Sequence, residues 1–562
     1  MECKCVTHPR KSLTNQGLSP WEPGIVESAV WRLTGCQRLR FLRFGLNMPG
    51  EPTYFGVFAP GDAPVQSTSL LLVKADDSPV LLFGFQTFDW TDGTWLLRSL
   101  DDGFEVVACN DYDHLVLEAG HSVAVDQPML LQSDDYNGLL RQWAKMVAAH
   151  YGNRFPQAIP TGWNDWQYYR NEKTQEDILE NCDALRQLKD SGLECEYLQI
   201  DGGYCLHLSE WELPKPEFSL GIERLSELVR QAGFKFGLWF APYIQNVRTK
   251  VFQEHPDWFL RDEEENLVRL TQSNVGESCL LDYTVPGTIE WLREKIHLLT
   301  QKWQVRWIKL DGPNISLYRR GVLRNRSCTV QKMMRTTLQV IADCAGDALV
   351  EGEGAMTAAV GLVQLHRVQM DNHPIWFLDN DSRKPYAPNV YGKELIMSFL
   401  HHTWWCNHRE NVILRDFSSP HAFYRSRKPP KDEPVFTENE RRLQLVSALI
   451  APGGLLLCDP MRELLKQPHL LHQADFLYPV KDGCTEVLDP FPEDGSPYPS
   501  LYRLSTLNRT YLAVFNWGDS ARTFTVKTCK GMPWRSLFSG KEVGPDIQLA
   551  PHSAVALIST DD

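Results

Sequence analysis

No stretch of this chain approaches the roughly 18–20 consecutive apolar residues that span a bilayer, and a membrane-embedded protein is not expected. The first residues, MECKCVTHPRKSLTNQG, hold no apolar core of a signal peptide. Basic charge is in deficit: 57 Lys and Arg against 71 Asp and Glu give a formal charge of −14. That balance disfavours a nucleic-acid surface and suits a neutral or cationic small ligand. The 14 cysteines show no repeated pair spacing, and the only close pair, Cys3 and Cys5, sits in a polar terminus. Reduced thiols in a cytoplasmic protein are expected, not a disulfide framework. Internal repeats and low-complexity tracts are missing too, as is a glycine-rich loop opening a helix after the first strand of an α/β domain.

What remains is a chain of 562 residues, long enough for three domains, with 18 tryptophans. From about 25 to 135 short runs rich in Val, Leu, Phe and Thr predict an antiparallel sandwich. Its strands are expected at 68–74, 80–88, 105–109 and 115–119. Tyr136–Tyr151 follows as a helix with Leu139, Leu140, Trp143, Met146 and Val147 at helical spacing. From Thr161 the rhythm changes to strand, loop, helix. Eight strands are predicted at 162–166, 197–201, 236–242, 305–311, 348–353, 365–371, 403–406 and 454–459, which fit a (β/α)8 TIM barrel. Short strands return after about 470. The expected domains are therefore an N-terminal β-sandwich with a linker helix (1–155), a catalytic barrel (156–468) and a small C-terminal β-sandwich (469–562).

The strand ends carry the chemistry. A carboxylate placed where a barrel strand gives out sits at the catalytic face. Ile308-Lys309-Leu310-Asp311 and Arg367-Val368-Gln369-Met370-Asp371 each end on an aspartate with a basic residue on its own face. Two such carboxylates are the minimal equipment for splitting a glycosidic bond. Lys309 favours an ionised Asp311, the state a nucleophile needs. Asp371 is the candidate general acid and base. Neighbouring strand ends offer Trp166, Asp201, Trp239, Glu351 and Glu353. His401, His402, Cys406 and His408 fit no usual zinc spacing, and Asp379-Asn380-Asp381 lacks the rest of an EF-hand, so neither a metal nor a cofactor is expected.

Several stretches resemble glycoside hydrolase family 36, the α-galactosidases related to melibiases. They are Thr161-Gly-Trp-Asn-Asp-Trp166, Leu198-Gln-Ile-Asp201, Gly237-Leu-Trp-Phe-Ala-Pro242, Val251-Phe-Gln-Glu-His-Pro-Asp-Trp258, Leu281-Asp282, Ile308-Lys-Leu-Asp311 and Arg367 to Asp371. The resemblance runs in the family's order over about 160–415. It implies Asp311 as nucleophile and Asp371 as acid/base of a retaining, exo-acting α-galactosidase. Asp201, Lys309 and Arg367 would hold sugar hydroxyls, and Trp166 and Trp239 would wall the site. The implied partner is an α-linked oligosaccharide or glycoside, and the resemblance is compatible with a monomer or a homo-oligomer. Two departures bear on the sugar. Gly202 stands where relatives carry a second aspartate, and Glu351 and Glu353 stand where they often place a cysteine. Glu353 is the candidate replacement for the missing carboxylate. Another α-glycoside, transfer to an acceptor sugar, and non-catalytic sugar binding remain the alternative readings.

Overall fold

The computed structural model describes residues 1–7, 25–46, 53–272, 276–379, 384–421, 435–474, 483–492, 496–526 and 534–559. Asn380, Asp381 and the basic run 425–431 lie outside them. The chain divides into two compact units. One comprises 1–154, 205–223 and 239–366; the other comprises 155–204, 224–238 and 367–562.

In the first unit, two five-stranded antiparallel sheets carry the N-terminal segment. The strand expected at 68–74 is two strands, Val65–Thr68 and Leu70–Lys74. Between them Ser69 takes φ 66°, a left-handed conformation that breaks a ladder. Residues 115–119 are not a strand. They form a loop in which the Val116 N–H bonds Arg326 O at 2.7 Å, with Val116 and Leu117 exposed. The helix Tyr136–Tyr151 is present as expected, because Asp135 caps it by accepting from Gly138 N and its apolar stripe buries Leu139, Leu140, Trp143 and Val147. Burying side chains of this size is worth roughly 1.5–3 kcal/mol apiece.

Arg319 ties that sheet segment to later parts of the same unit. Its guanidinium donates to Asp113 Oδ1 at 2.7 Å and Asp92 Oδ1 at 2.8 Å, and lies 3.4 Å from Asp111. Asp113 also accepts from Val330 N, and Thr329 Oγ1 donates to Trp90 O.

The barrel strands are Thr161–Asn164, Tyr197–Ile200, Lys235–Phe240, Trp307–Leu310, Leu349–Gly352, Leu365–Arg367, Cys406–His408 and Leu455–Leu457. They form one eight-stranded sheet in the order seven, six, five, four, three, two, one, eight. A parallel bridge from His408 to Gly454 joins strand seven to strand eight and closes the sheet on itself. This is the expected (β/α)8 barrel, with β-rich segments on either side of it in the chain. Strand seven sits later than expected, because His401–Trp405 is a turn with His402 at φ 53° and with Trp404 and Trp405 fully buried.

The segment after strand three adds a three-stranded antiparallel sheet of Ile244–Asn246, Gly276–Leu280 and Arg269–Gln272. In the second unit, Glu438–Ile450 opens on a capping box of Thr437 and Glu440, and the C-terminal strands, including Leu501–Ser505, Thr510–Asn516 and Ser553–Ser559, form a six-stranded sheet. Among the described residues, no helix is long and apolar enough to cross a membrane.

Candidate active site

In a parallel strand alternate side chains share a face, so a polar residue at the carboxyl end projects to one rim of the barrel. The first unit holds the strand-four and strand-five candidates. Asp311 directly follows Leu310, and its N–H still bonds Phe240 O of strand three at 3.0 Å, which fixes its backbone in the sheet. The Trp239 indole N–H donates to Asp311 Oδ2 at 3.1 Å. A donor to a carboxylate favours the ionised form and orients its oxygens. Lys309 is 3% exposed and pairs in register with Glu351 on strand five.

The two glutamates differ in place. Glu351 is fully buried within the strand, and its carboxylate accepts from Trp307 Nε1 at 2.8 Å. Glu353 lies just past the strand end. The motif His255-Pro-Asp-Trp258 stacks its own ends, imidazole on indole at 3.9 Å, and its carbonyl at Trp258 accepts from Asp282 N. Trp211 and Tyr243, both near strand ends, are buried packing residues; Trp211 lies on Phe240 and Trp291.

The second unit holds the candidates of strands one, two and six. Asp201 is anchored through both carboxylate oxygens: Asn164 Nδ2 donates to Oδ2 at 2.9 Å and Gly202 N to Oδ1 at 2.8 Å. Its own N–H donates to Asp165 Oδ1 at 3.1 Å, where the buried Lys173 ammonium also donates at 2.5 Å. Burial pushes the Asp165 carboxyl up to about 6; Lys173 opposes the shift and Asp201 adds to it. Trp166 carries two cations near its ring, Arg170 at 5.5 Å and Lys173 at 5.4 Å.

Arg367 NH1 donates to Asp371 Oδ1 at 2.8 Å, realising the i, i+4 pairing read from the sequence. The same nitrogen lies 3.5 Å from Glu410 Oε1. Glu410 is 1% exposed, and its Oε2 accepts from Gln167 Nε2 at 2.8 Å and from Asn372 N at 2.7 Å. Tyr386 Oη donates to the Asp371 carbonyl. The Asn372 side chain is bonded to Asn411 O, Gln444 Oε1 and Tyr391 Oη.

The structure thus joins Trp239 with Asp311, Asn164 and Asp165 with Asp201, and Arg367 with Asp371. Glu410, Asp165 and Lys173 were not singled out from the sequence. Glu410 had a usable signal: it stands two residues past strand seven, as Asp459 does past strand eight. Its position became legible only when that strand was placed at Cys406–His408.

His401, His402 and Cys406 do gather, with ligand atoms within 4.8 Å of one another. They suit a metal poorly. Asn407 N donates to His401 Nδ1 at 3.1 Å, which uses that ring's lone pair and leaves the proton on Nε2. The Cys406 thiol donates to Asn407 O, and burial pushes it up to about 12.

Residues 137–341 match the Melibiase family. Among curated proteins, the chain is 21% identical over 257 residues to α-galactosidase AgaA of Geobacillus stearothermophilus, covering 43% of this chain and 34% of that one. It is 27% identical over 180 residues to the A type blood α-D-galactosamine galactosaminidase of Flavonifractor plautii, covering 30% and 16%. A third likeness, 24% over 181 residues, is to the mouse myogenesis-regulating glycosidase, covering 31% and 24%. The matches span about a third or less of these relatives' lengths.

Over the whole fold, the α-galactosidase TtGalA of Thermus thermophilus, solved with p-nitrophenyl α-D-galactopyranoside, superposes with a TM-score of 0.64 at 20% identity, covering 90% of this chain and 98% of that one. The family 36 AgaA structure superposes with 0.66 at 13% identity, covering 96% and 78%. At such identities the superpositions speak for the fold. Together with the motifs quoted above, these likenesses are to the α-galactosidase-like melibiases of glycoside hydrolase family 36.

Proposed function

We propose that the protein is a retaining, exo-acting α-glycosidase that removes terminal α-linked galactose by double displacement. The observation that carries the reading is the strand-terminal Asp311, held in the sheet ladder and oriented by the Trp239 indole N–H. In the first step an Asp311 oxygen forms a bond to the anomeric carbon. The bond to the leaving oxygen breaks, and that oxygen takes a proton from Asp371. In the second step water attacks the same carbon, gives its proton to Asp371 and releases Asp311. Asp201, Lys309 and Arg367 are the residues proposed to hold the sugar's hydroxyls, with Trp166 and Trp239 as its apolar walls. No cofactor enters this scheme. The α-galactosidase names of the relatives support galactose.

A second reading keeps the mechanism and changes the sugar. Gly202 has no side chain to stand in for an aspartate, and its N–H is already taken by Asp201; Glu353, one residue past strand five, is the carboxylate proposed to act in its place. A site built around a different hydrogen-bonding group discriminates strongly between sugars. An α-N-acetylgalactosaminide or a related amino sugar would fit that change. Purified protein offered 4-nitrophenyl α-glycosides of several sugars, with and without an acceptor sugar, separates the readings. Release from the galactoside with retained configuration supports the first; release from an amino-sugar glycoside alone supports the second. Silence across the panel with sugar binding intact would leave a non-catalytic lectin-like protein.

A further inference from the structure

A general acid must hold a proton when substrate arrives, yet Asp371 is hydrogen-bonded to a guanidinium. A cation at 2.8 Å favours the ionised carboxylate and works against that task. The structure places a third charge at the same nitrogen of that cation. Glu410 Oε1 is 3.5 Å from the Arg367 nitrogen that serves Asp371. Glu410 is itself fixed by the Gln167 side-chain amide and the Asn372 N–H, both donors that stabilise its anionic form.

We propose that Glu410 is a positioning residue for the acid/base: its buried charge offsets Arg367, so that Asp371 keeps its proton near neutral pH. The proposal rests on the reading of Asp371 as acid/base. Charge counting gives the direction. With Glu410 and Arg367 both ionised, the trio is neutral when Asp371 is protonated and carries −1 when it is not. The Glu410 charge makes a further negative charge at Asp371 costlier, so the protonated state gains. Remove the Glu410 charge, and the neutral state of the trio becomes the one with Asp371 ionised.

The other groups bonded around this segment among the described residues differ in charge from Glu410. Tyr386 and Tyr391 present neutral phenols, and Gln444 and Gln167 present amides. Arg170 donates to His373 Nδ1 at 2.9 Å, two residues from Asp371, and adds a further cation. Arg415, beneath Gln167, is paired with Asp459. Glu410 also bonds the backbone of the residue after Asp371, so one side chain sets both the place and the charge balance of the acid.

The test is Glu410→Gln, which keeps the shape and removes the charge. The alkaline limb of kcat/KM for a substrate with a poor leaving group should move down by about one pH unit, the low end of what a neighbouring charge does. At pH about 7.5 its rate should then fall roughly tenfold, while a 4-nitrophenyl glycoside at low pH stays near wild type. Glu410→Asp, which keeps the charge but withdraws it, should move the limb in the same direction by less, and serves if the glutamine variant does not fold. An equal loss at every pH on both substrates, with the limb unmoved, would mean a merely structural role and overturn the proposal. A readout apart from turnover is the ¹³C carboxyl titration of Asp371, assigned by its loss in Asp371→Asn. If that titration is the same in wild type and Glu410→Gln, the proposal fails even where no glycoside is turned over. If it moves down while no glycoside is cleaved, the charge offset stands and the catalytic reading falls.

Discussion

Asp311 and Asp371 are held in opposite ways. Asp311 is the first residue past strand four, and its main-chain N–H is still part of the ladder to strand three. Asp371 stands four residues past the end of strand six, on irregular backbone, and its side chain is 29% exposed. Its carbonyl and its neighbour are fastened by side chains from elsewhere in the chain: Tyr386, Glu410, Gln444 and Tyr391. The sheet holds one carboxylate; bolts hold the other. In the proposed mechanism the nucleophile must be held in one place and be ionised when substrate arrives; the strand end holds the place and the Trp239 N–H favours the charge. An acid that gives and takes a proton within each turnover benefits from an anchor made of tunable groups.

The contrast is sharpest where each carboxylate is removed. Asp311→Ala should lower kcat by roughly 10⁵-fold or more, the scale of losing a nucleophile, and azide should restore part of it by attacking the anomeric carbon in its place. A variant with near-normal rates would break the comparison outright. Asp371→Ala should cost about 10²–10⁴-fold on poor leaving groups and far less on activated aryl glycosides; equal losses on both would remove it from the acid role.

Smaller changes probe the anchors. Trp239→Phe deletes the N–H at Asp311 and should lower kcat/KM by about 10- to 100-fold, the worth of a hydrogen bond to a charged group. Tyr386→Phe loosens the Asp371 carbonyl and should cost only about 2- to 10-fold, confined to poor leaving groups. If Trp239→Phe showed that leaving-group dependence instead, the division of labour between the two ends would be wrong.

Most barrel strands were legible because buried parallel strands are short apolar runs, and each run announced its own end with a polar or aromatic residue. Strand seven was misplaced for the same reason in reverse. Trp404 and Trp405 look like strand residues, but they are the buried core of a turn. The three-stranded sheet between 244 and 280 left no such mark, since Ile244-Gln-Asn246 and Arg269-Leu-Thr-Gln272 are too short and polar to stand out. The Arg367–Asp371 pair was read as one face of a strand over 365–371; the strand ends at Arg367, and the pair forms across irregular backbone instead. The Asp165–Lys173 pair lies only eight residues apart, yet nothing in the residue types says that both are buried. Glu410 acts on residues 43 and 38 positions back in the chain (410 − 367 and 410 − 372), a relation that only folding creates.

For anyone wishing to shorten this chain to its chemistry, Arg319 sets the limit. A cut near residue 155 would take away Asp92, Asp111 and Asp113 together and strand a guanidinium built to be neutralised by them. Arg319 is 22% exposed in the intact chain and would lose three carboxylate partners at once. The front of the chain is therefore no detachable accessory, and a trimmed version intended for manufacture should carry a neutral residue at 319 before it loses its first 155.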